Sequence, residues 1–351
     1  MLIAHHRITS ILSLLALLLG LTLTDPASAS SLLGPADGYN VFLFGNMYGS
    51  NSDTEGRLAA GGDIDLQNYS VGLKAGASDY SLVGGGEVRF WSGTALNGGI
   101  RAQNGMRGDN LTVEGDIATQ GDVTIYSGTV QGDIVSPGTV ATYTTNVVGN
   151  VVSGPVPASP VDFGAAYDQI TDTSAALSAM ADTGSKDVKA WGSIYLDGHD
   201  AFNVFSLTAQ ELADSSGILF DLADDAVAVV NVAGTYNNFS GFGFFDFDDA
   251  SGEYLRMGLT TARNIFYNFY ETNALDIYSI GVMGSILAPH ANVYGSSGVV
   301  WGNLVATSLY GSCQFNDNSA APVPEPATML LFGSGIMGLF GIGRHRARRH
   351  G

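Results

Sequence analysis

The stretch NLTVEGDIATQGDVTIYSGTVQGDIV, residues 110–135, decides the fold. Apolar and polar residues alternate over short runs, and each run is cut by a glycine, an acidic residue and a β-former in turn. Alternation with a period of two marks a strand with one face inward, and glycine marks the turn or bulge that ends it. Working outward, the cut recurs as GGDIDL at 61–66, GGEVRF at 85–90, EGDIAT at 114–119 and QGDVTI at 120–125. QGDIVS at 131–136 and VGNVVS at 148–153 continue it.

Many short strands at close spacing predict an all-β-dominated chain, built as a right-handed parallel β-solenoid. Each coil stacks on the last, and inward Val, Ile and Leu form one continuous core. The alternative is a β-sandwich, which requires longer strands and hairpin signals. On the solenoid reading, glycine is expected at the corners with positive φ. Asp63, Asp65, Asp116, Asp122 and Asp133 then either mark turns or align as an acidic ladder.

The pattern breaks at SGPVPASPVDFGAAYDQITDTSAALSAMADTG, residues 153–184. Residues 152–160 form a Pro-rich connector. Ser159 is placed to cap a helix, Pro160 suits its first position, and Asp162 favours its start. Phe163, Tyr167, Ile170, Ala175, Leu177 and Met180 follow at helical spacing, so an inserted amphipathic helix is expected over about 159–183, ended by Gly184. Thr208 and Glu211 form a capping box for a second, short helix to Ala213. Strand patterns resume in GILFDLADDAVAVVNVAG at 217–234 and in GSILAPHANVYGSSGVVWGNLVATSLYGSCQF at 284–315. The expectation is one domain over 30–322, a solenoid that is interrupted and then completed.

Both ends read as addresses. His5, His6 and Arg7, an apolar core at 11–23 and the small-residue site Ala27-Ser28-Ala29 predict a signal peptide over 1–29, cut between Ala29 and Ser30. At the other end stands Val323-Pro324-Glu325-Pro326, an extended, helix-incompatible stretch. The run 327–343 carries no charge and is just long enough for a transmembrane helix. Arg344, Arg346, Arg348 and Arg349 then hold that end in the cytoplasm.

Those three parts, in that order, resemble the PEP-CTERM sorting signal, here over 323–351. The resemblance implies processing by an exosortase, a membrane transpeptidase-like enzyme, near Pro324-Glu325-Pro326. It also implies a Gram-negative bacterium that secretes exopolysaccharide, with the unprocessed precursor in the inner membrane.

Three further stretches are similar to the choice-of-anchor A domain of bacterial surface proteins. One is YNVFLFGNMYGSNSDTEGRLAAGGDIDLQNYSVG at 39–72, with Glu55, Gly56 and Arg57 and the Gly61-Gly62-Asp63 corner. The others are PVDFGAAYDQI at 160–170 with DAFNVFSLTAQEL at 200–212, and the stretch 284–315. Similar domains end in a Tyr-Pro-Phe-like segment, where this chain reads Phe315-Asn316-Asp317-Asn318. The resemblance implies a β-solenoid-like adhesive surface domain with a PEP-CTERM anchor, and some such relatives are labelled collagen-binding.

Composition narrows the function. The chain carries 14 Lys and Arg against 33 Asp and Glu, a net charge of −19. Without its two ends, 9 Lys and Arg stand against 31 Asp and Glu, a net charge of −22. Such a surface repels nucleic acid and anionic membranes. It suits neutral polysaccharide, divalent cations or a basic partner. The single cysteine, Cys313, cannot close an internal disulfide and reads as a small buried side chain.

No nucleophile elbow or phosphate-binding loop occurs. His199 and His290 show no metal-ligand spacing with Cys, Asp or Glu, and His290 reads as a surface turn residue. Scarce Lys and Arg argue against a lyase acting on uronic acids. Asp246, Asp248, Asp249 and Glu253, around Gly252, offer oxygen ligands for Ca²⁺, though off the EF-hand spacing, and a solvated acidic loop is the competing reading. No other cofactor is expected. Arg57 reads as structural, pairing with Glu55 or capping carbonyls at the solenoid end. The aromatics of 239–270 divide between core and a surface that stacks on sugars. A regular solenoid face can also bind ice, but no Thr-x-Thr ladder is legible.

The expected protein is therefore a secreted, non-enzymatic surface or exopolysaccharide-matrix protein, adhesive or structural in a biofilm. It meets the membrane only through its unprocessed tail. Its partners are an exosortase-like enzyme and either exopolysaccharide or an extracellular protein such as a collagen-like fibre. The alternative is a polysaccharide-acting solenoid enzyme, a lyase or hydrolase.

Overall fold

The computed structural model describes residues 32–318. The signal-peptide positions Ala27, Ala29 and Ser30 and the sorting-signal positions Val323 to Pro326 and Arg344 to Arg349 lie outside the described residues. Among the described residues no helix is long and apolar enough to cross a membrane.

Among the described residues twenty-three strands join in one sheet, and every pairing within it is parallel. That excludes the sandwich, whose sheets are antiparallel. Over residues 41–153 each coil contributes a short strand and a longer one bent midway, so the sheet wraps into three walls around a core of Val, Ile, Leu and Phe. Corner residues of successive coils sit 17 residues apart from 97 to 150, whereas the coil from Asp63 to Glu87 takes 24.

The coils do not stack in chain order. Residues 41–153 wind away from a first coil at 41–54, coil upon coil. Residues 202–316 begin at the far side and wind back, so that the last coil lands on the first: Val41 pairs with Leu304, Met47 with Leu309 and Thr54 with Phe315. The completion expected from the sequence is thus on the opposite side of the starting coil. The meeting coils are tied by buried amides. Asn40 Nδ2 donates to Gly302 O at 2.6 Å and Asn303 Nδ2 to Tyr39 O at 2.7 Å.

The chain crosses between the halves by a connector and one long helix, α1 (Phe163–Ser178). It starts three residues later than Pro160 suggested, because Ser159 turns back on Val161 and Asp162 caps instead, accepting from Ala165 N at 3.1 Å. Its buried stripe is Ala166, Ile170, Ser174 and Leu177, while Ala175 faces solvent. Phe163 packs on Phe42 at the joint. Further along, Asn268 Nδ2 donates to Ser174 O at 2.9 Å and Asn231 Nδ2 to Leu177 O at 2.9 Å. From Phe42 to Asn231 is four strand spacings, roughly 19 Å, and from Phe163 to Leu177 the helix rises roughly 21 Å. The helix is therefore a splint laid along the stack, across the joint.

Its approach is pinned by Arg101. This guanidinium is buried and donates to Pro157 O of the connector at 3.2 Å, to Gln103 Oε1 at 3.2 Å and to Ala102 O. One wall is thereby covered and two stay open. The short helix Ala209–Ala213 carries the capping box of Thr208 and Glu211 that the sequence predicts.

The glycine expectation holds at some positions, as at Gly72, Gly105 and Gly128, where φ is positive, and is corrected at others. At Gly61-Gly62 and Gly85-Gly86 φ is not positive; glycine is required because the next coil passes too close for a Cβ. A Cβ on Gly85 would lie 2.2 Å from Gly61 O. The left-handed bend of the longer strands falls on Asn51, Asn68 and Asn110, a residue type that tolerates it best after glycine, and on Ser92. Asn68 and Asn110 owe their place to this corner: Asn68 Nδ2 reaches Asn51 Oδ1 at 3.1 Å.

Candidate functional site

The acidic residues of the corners act as staples between coils. Asp63 Oδ1 accepts from Glu87 N at 2.9 Å, Asp116 from Asp133 N at 2.8 Å, Asp133 from Asn150 N at 2.7 Å and Asp122 from Thr139 N at 2.7 Å. They divide between two corners, and Asp65 lies on an open wall paired with Arg89 at 3.0 Å. There is no single acidic ladder.

Glu55, Gly56 and Arg57 sit at the joint. Glu55 pairs with Lys74 at 2.7 Å and accepts from Asp317 N at 3.0 Å, fixing the returning chain end. Gly56 lies against Asn40, with room for no Cβ. Arg57 does cap a carbonyl, Gly38 O at 2.7 Å, with its guanidinium over the Tyr39 ring. It does so in the middle of the stack, not at its end.

The four acidic residues named for Ca²⁺ lie on a hairpin, Gly243–Asp248 against Glu253–Arg256. Two of them have local hydrogen-bond partners. Asp246 Oδ2 accepts from Thr261 Oγ1 at 2.8 Å and Gly258 N at 3.2 Å; Asp248 Oδ2 accepts from Ser251 Oγ at 2.6 Å. Asp248 and Glu253 are cross-strand neighbours, and Asp249 is exposed. A group the sequence did not reveal is Asp197, His199 and Asp221, whose ligating atoms lie within 4.8 Å of one another. Asp197 and Asp221 are in register on parallel strands, a pairing invisible until the coils are aligned. His290 is no turn residue. It lies in a strand, and its Nδ1 meets Tyr167 Oη of α1 at 3.1 Å.

The open wall formed by the first half of each long strand carries the aromatic surface. Tyr48 stacks on Tyr310 with centroids 5.1 Å apart and planes at 12°, and Tyr310 on Tyr294 at 5.5 Å and 19°. A second row on the same wall joins Trp91, Tyr126 and Tyr143, the last pair 5.5 Å apart at 10°. Between the rows Arg89 and Arg107 share Glu87, at 2.8 and 2.9 Å. The rows arise because equivalent positions in successive parallel coils fall one above the other.

The first stack ends at Tyr294. Its register neighbour on the next strand is Asp276, whose short side chain leaves the outer ring face uncovered. A groove of about 420 Å³ opens there, lined by Tyr278, Tyr294, Asn238, Asp276, Ser240 and Ser296 among others. Tyr278 and Tyr294 are 58% and 49% exposed, unusual for aromatic rings. Asp276 accepts from Tyr236 Oη at 2.7 Å, and that hydrogen bond raises the Tyr236 pKa. Asn238 Oδ1 is buried with no hydrogen-bond partner, a state costing about 1–3 kcal/mol until a donor arrives. An exposed ring face, a carboxylate and an unsatisfied amide in one groove are the equipment for holding a sugar: stacking on its apolar face and hydrogen bonds to its hydroxyls. Asp276 is the one carboxylate in this lining, so the groove lacks the carboxylate pair of glycoside hydrolysis.

The family model described as "Putative Ice-binding-like adhesive domain" matches residues 32–317, the whole of this solenoid. The chain belongs to this family. A second model, the PEP-CTERM protein-sorting motif, matches residues 322–349. This ice-binding-like adhesive domain with its sorting motif is that of an exported cell-surface or extracellular protein. No curated protein matches the chain. Among solved structures it is similar to an ice binding protein from an Antarctic bacterium, Flavobacteriaceae, at 12% identity over 85% of this chain and 100% of that one, with a TM-score of 0.25. That likeness is too weak to carry fold or function.

Proposed function

We propose that the protein is a non-enzymatic adhesin of the cell surface or exopolysaccharide matrix, and that the groove at the end of the tyrosine stack holds the glycan. It is exported, processed by an exosortase-type enzyme at the Pro-Glu-Pro motif, and retained in the envelope or the biofilm of a Gram-negative cell. In the choice-of-anchor reading the solenoid is the shared ectodomain and the PEP-CTERM tail its exchangeable anchor. The observation that carries the proposal is the uncovered face of Tyr294 beside the unpaired Asn238 amide. Net negative charge favours a neutral polymer over an anionic one.

A second reading is supported by the other open wall. There Ser70, Thr94, Thr112, Thr129 and Asn146 stand in register on successive coils, a threonine row that appears once the coils are aligned. It fits the ice-binding part of the family description. The row is one residue wide and half-buried, which is narrow for ordering a plane of water, so the glycan reading is preferred.

The test is binding of the full chain to the producing cell's own exopolysaccharide, with and without Ca²⁺, beside Tyr294→Ala. The expected result is saturable binding with polymer length unchanged, weakened about 3- to 10-fold by the substitution, the worth of one aromatic contact. Shortening of the polymer would establish an enzyme instead. Binding that ignores Tyr294 would place the site elsewhere, and inhibition of ice recrystallisation without glycan binding would select the threonine row.

A further inference from the structure

The two ends of the stack are built differently. At one end the strand Phe202–Thr208 is closed over: Val204, Phe205 and Leu207 are buried, Thr183 N donates to Val204 O at 3.1 Å, and Gly184 packs on the Phe205 ring. The other end is the coil of Val140–Val147 and Val151–Ser153, whose strands pair on one side only. Val140, Val147 and Val151 stand directly over Val123, Val130 and Ile134. The lower three are buried, yet Val151 is 53% exposed and the neighbouring corner residue Val148 59%. The core therefore surfaces at this end, rimmed by unpaired backbone amides and carbonyls.

Natural sheets protect such edges with charge, proline or a covering segment. Among the described residues none of these guards this coil. Residues 134–161 contain no charged residue, in a chain of net charge −19, and the prolines at 137, 155, 157 and 160 lie outside its strands. The connector leaves the end at once, toward Arg101.

We propose that the open end docks on the open end of a second copy of this chain. Two identical ends meeting about a two-fold axis pair their edge strands antiparallel, a self-complementary contact in which each partner supplies what the other lacks. The absence of charge matters most here. Two strongly anionic molecules repel through nearly every surface, and this end lets them touch with no like charges opposed. The second aromatic row terminates at Tyr143, 67% exposed, so its outer ring face meets its counterpart in the same contact. One coil end is small beside the roughly 800 Å² per partner of a stable interface, so the pairing is weak and concentration-dependent. Crowding on a surface would populate it, joining two adhesive walls end to end.

Sedimentation velocity and small-angle scattering of the full chain over a concentration series test this, with Val151→Asp, Val151→Lys and their equimolar mixture. The expected wild type shows a monomer–dimer equilibrium whose dimer has nearly twice the monomer's length. Each single variant loses the dimer, and the mixture regains it, because opposite charges now meet across the axis. A wild type that stays monomeric to roughly millimolar concentration overturns the proposal. So does a dimer that survives Val151→Asp, which would then form through another surface or the apolar tail. If Val151→Asp does not melt cooperatively, the same pair of substitutions at Val148, on the exposed corner, replaces it, with the same outcomes expected.

Discussion

Residues 41–153 and 202–316 form the same solenoid by different means. In the first half a device recurs at several corners: a small residue lets the next coil approach, and a carboxylate accepts that coil's backbone N–H. In the second half close backbone approach recurs, at Gly302 on Gly284 and at Gly311 on Gly295, without a carboxylate staple repeated from coil to coil. The coils are filled by an aromatic cluster, with Phe239 within 5.1–6.1 Å of Phe242, Phe244, Tyr267 and Phe269, and are braced by α1 through Asn231 and Asn268. One half thus adds carboxylate staples to close backbone approach along the stack, and the other adds side-chain volume concentrated at one place. The two should fail differently.

Gly121→Ala should do the largest damage. Its φ is unexceptional, so the cost is purely one of space: a Cβ would lie 1.8 Å from Asn104 O and 2.4 Å from its carbonyl carbon. No side-chain rotation relieves a contact between two backbones, and the coils must separate, breaking the ladder on both sides of the corner. Loss of soluble, cooperatively melting protein is expected, measured by yield and thermal unfolding. A variant with near wild-type melting would mean that the corners have slack, and that the glycine repeat is not what sets the coil spacing.

Phe239→Ala should come next. The ring is fully buried, and removing it costs about 3–5 kcal/mol through lost transfer energy and the cavity left behind. Here, unlike at Gly121, neighbours are side chains that can relax inward. The fold should survive with a lower denaturant midpoint and an unchanged slope. A loss confined to residues 202–316 in hydrogen exchange, sparing 41–153, would show that the two halves unfold separately.

The same contrast explains what is legible in the sequence. The short strands of 110–135 and their parallel stacking follow from alternation and glycine spacing, because a local device repeated on every coil leaves a local pattern. The reason for the glycines is not legible, since a close approach between coils and a positive φ leave the same letter. The capping box at Thr208 is legible because both partners lie within four residues. The tyrosine stack is not: Tyr48, Tyr294 and Tyr310 come together only because the last coil lands on the first, and nothing local to Tyr48 announces Tyr310. The same holds for the Asp197–His199–Asp221 group and for Asp276 beneath Tyr294, which depend on register between coils.

The smallest expected effect concerns a single carboxylate of the second half. A corner acid such as Asp133 sits at the surface with donors on it, from Asn150 N and Nδ2. Asp246 in the other half is partly buried. Thr261 and Gly258 hold one oxygen, while Oδ1 has no partner, and burial raises the pKa more than those hydrogen bonds lower it. A carboxyl whose pKa is higher folded than unfolded favours folding in its protonated form. Its contribution is fully present below the ordinary aspartate range and is lost as pH rises through the folded value. At neutral pH the ionised Asp246 therefore weakens the fold, and Asp246→Asn, which keeps an oxygen for Thr261 and Gly258, should melt a few degrees higher than wild type. The gap should close as pH falls through the raised pKa, where the wild type becomes neutral too. Melting curves of both proteins across that range decide it. A variant less stable than wild type at neutral pH, with the gap closing in acid, would mean that the ionised carboxylate is balanced by a cation, which would return Asp246 to the set of Ca²⁺ ligands.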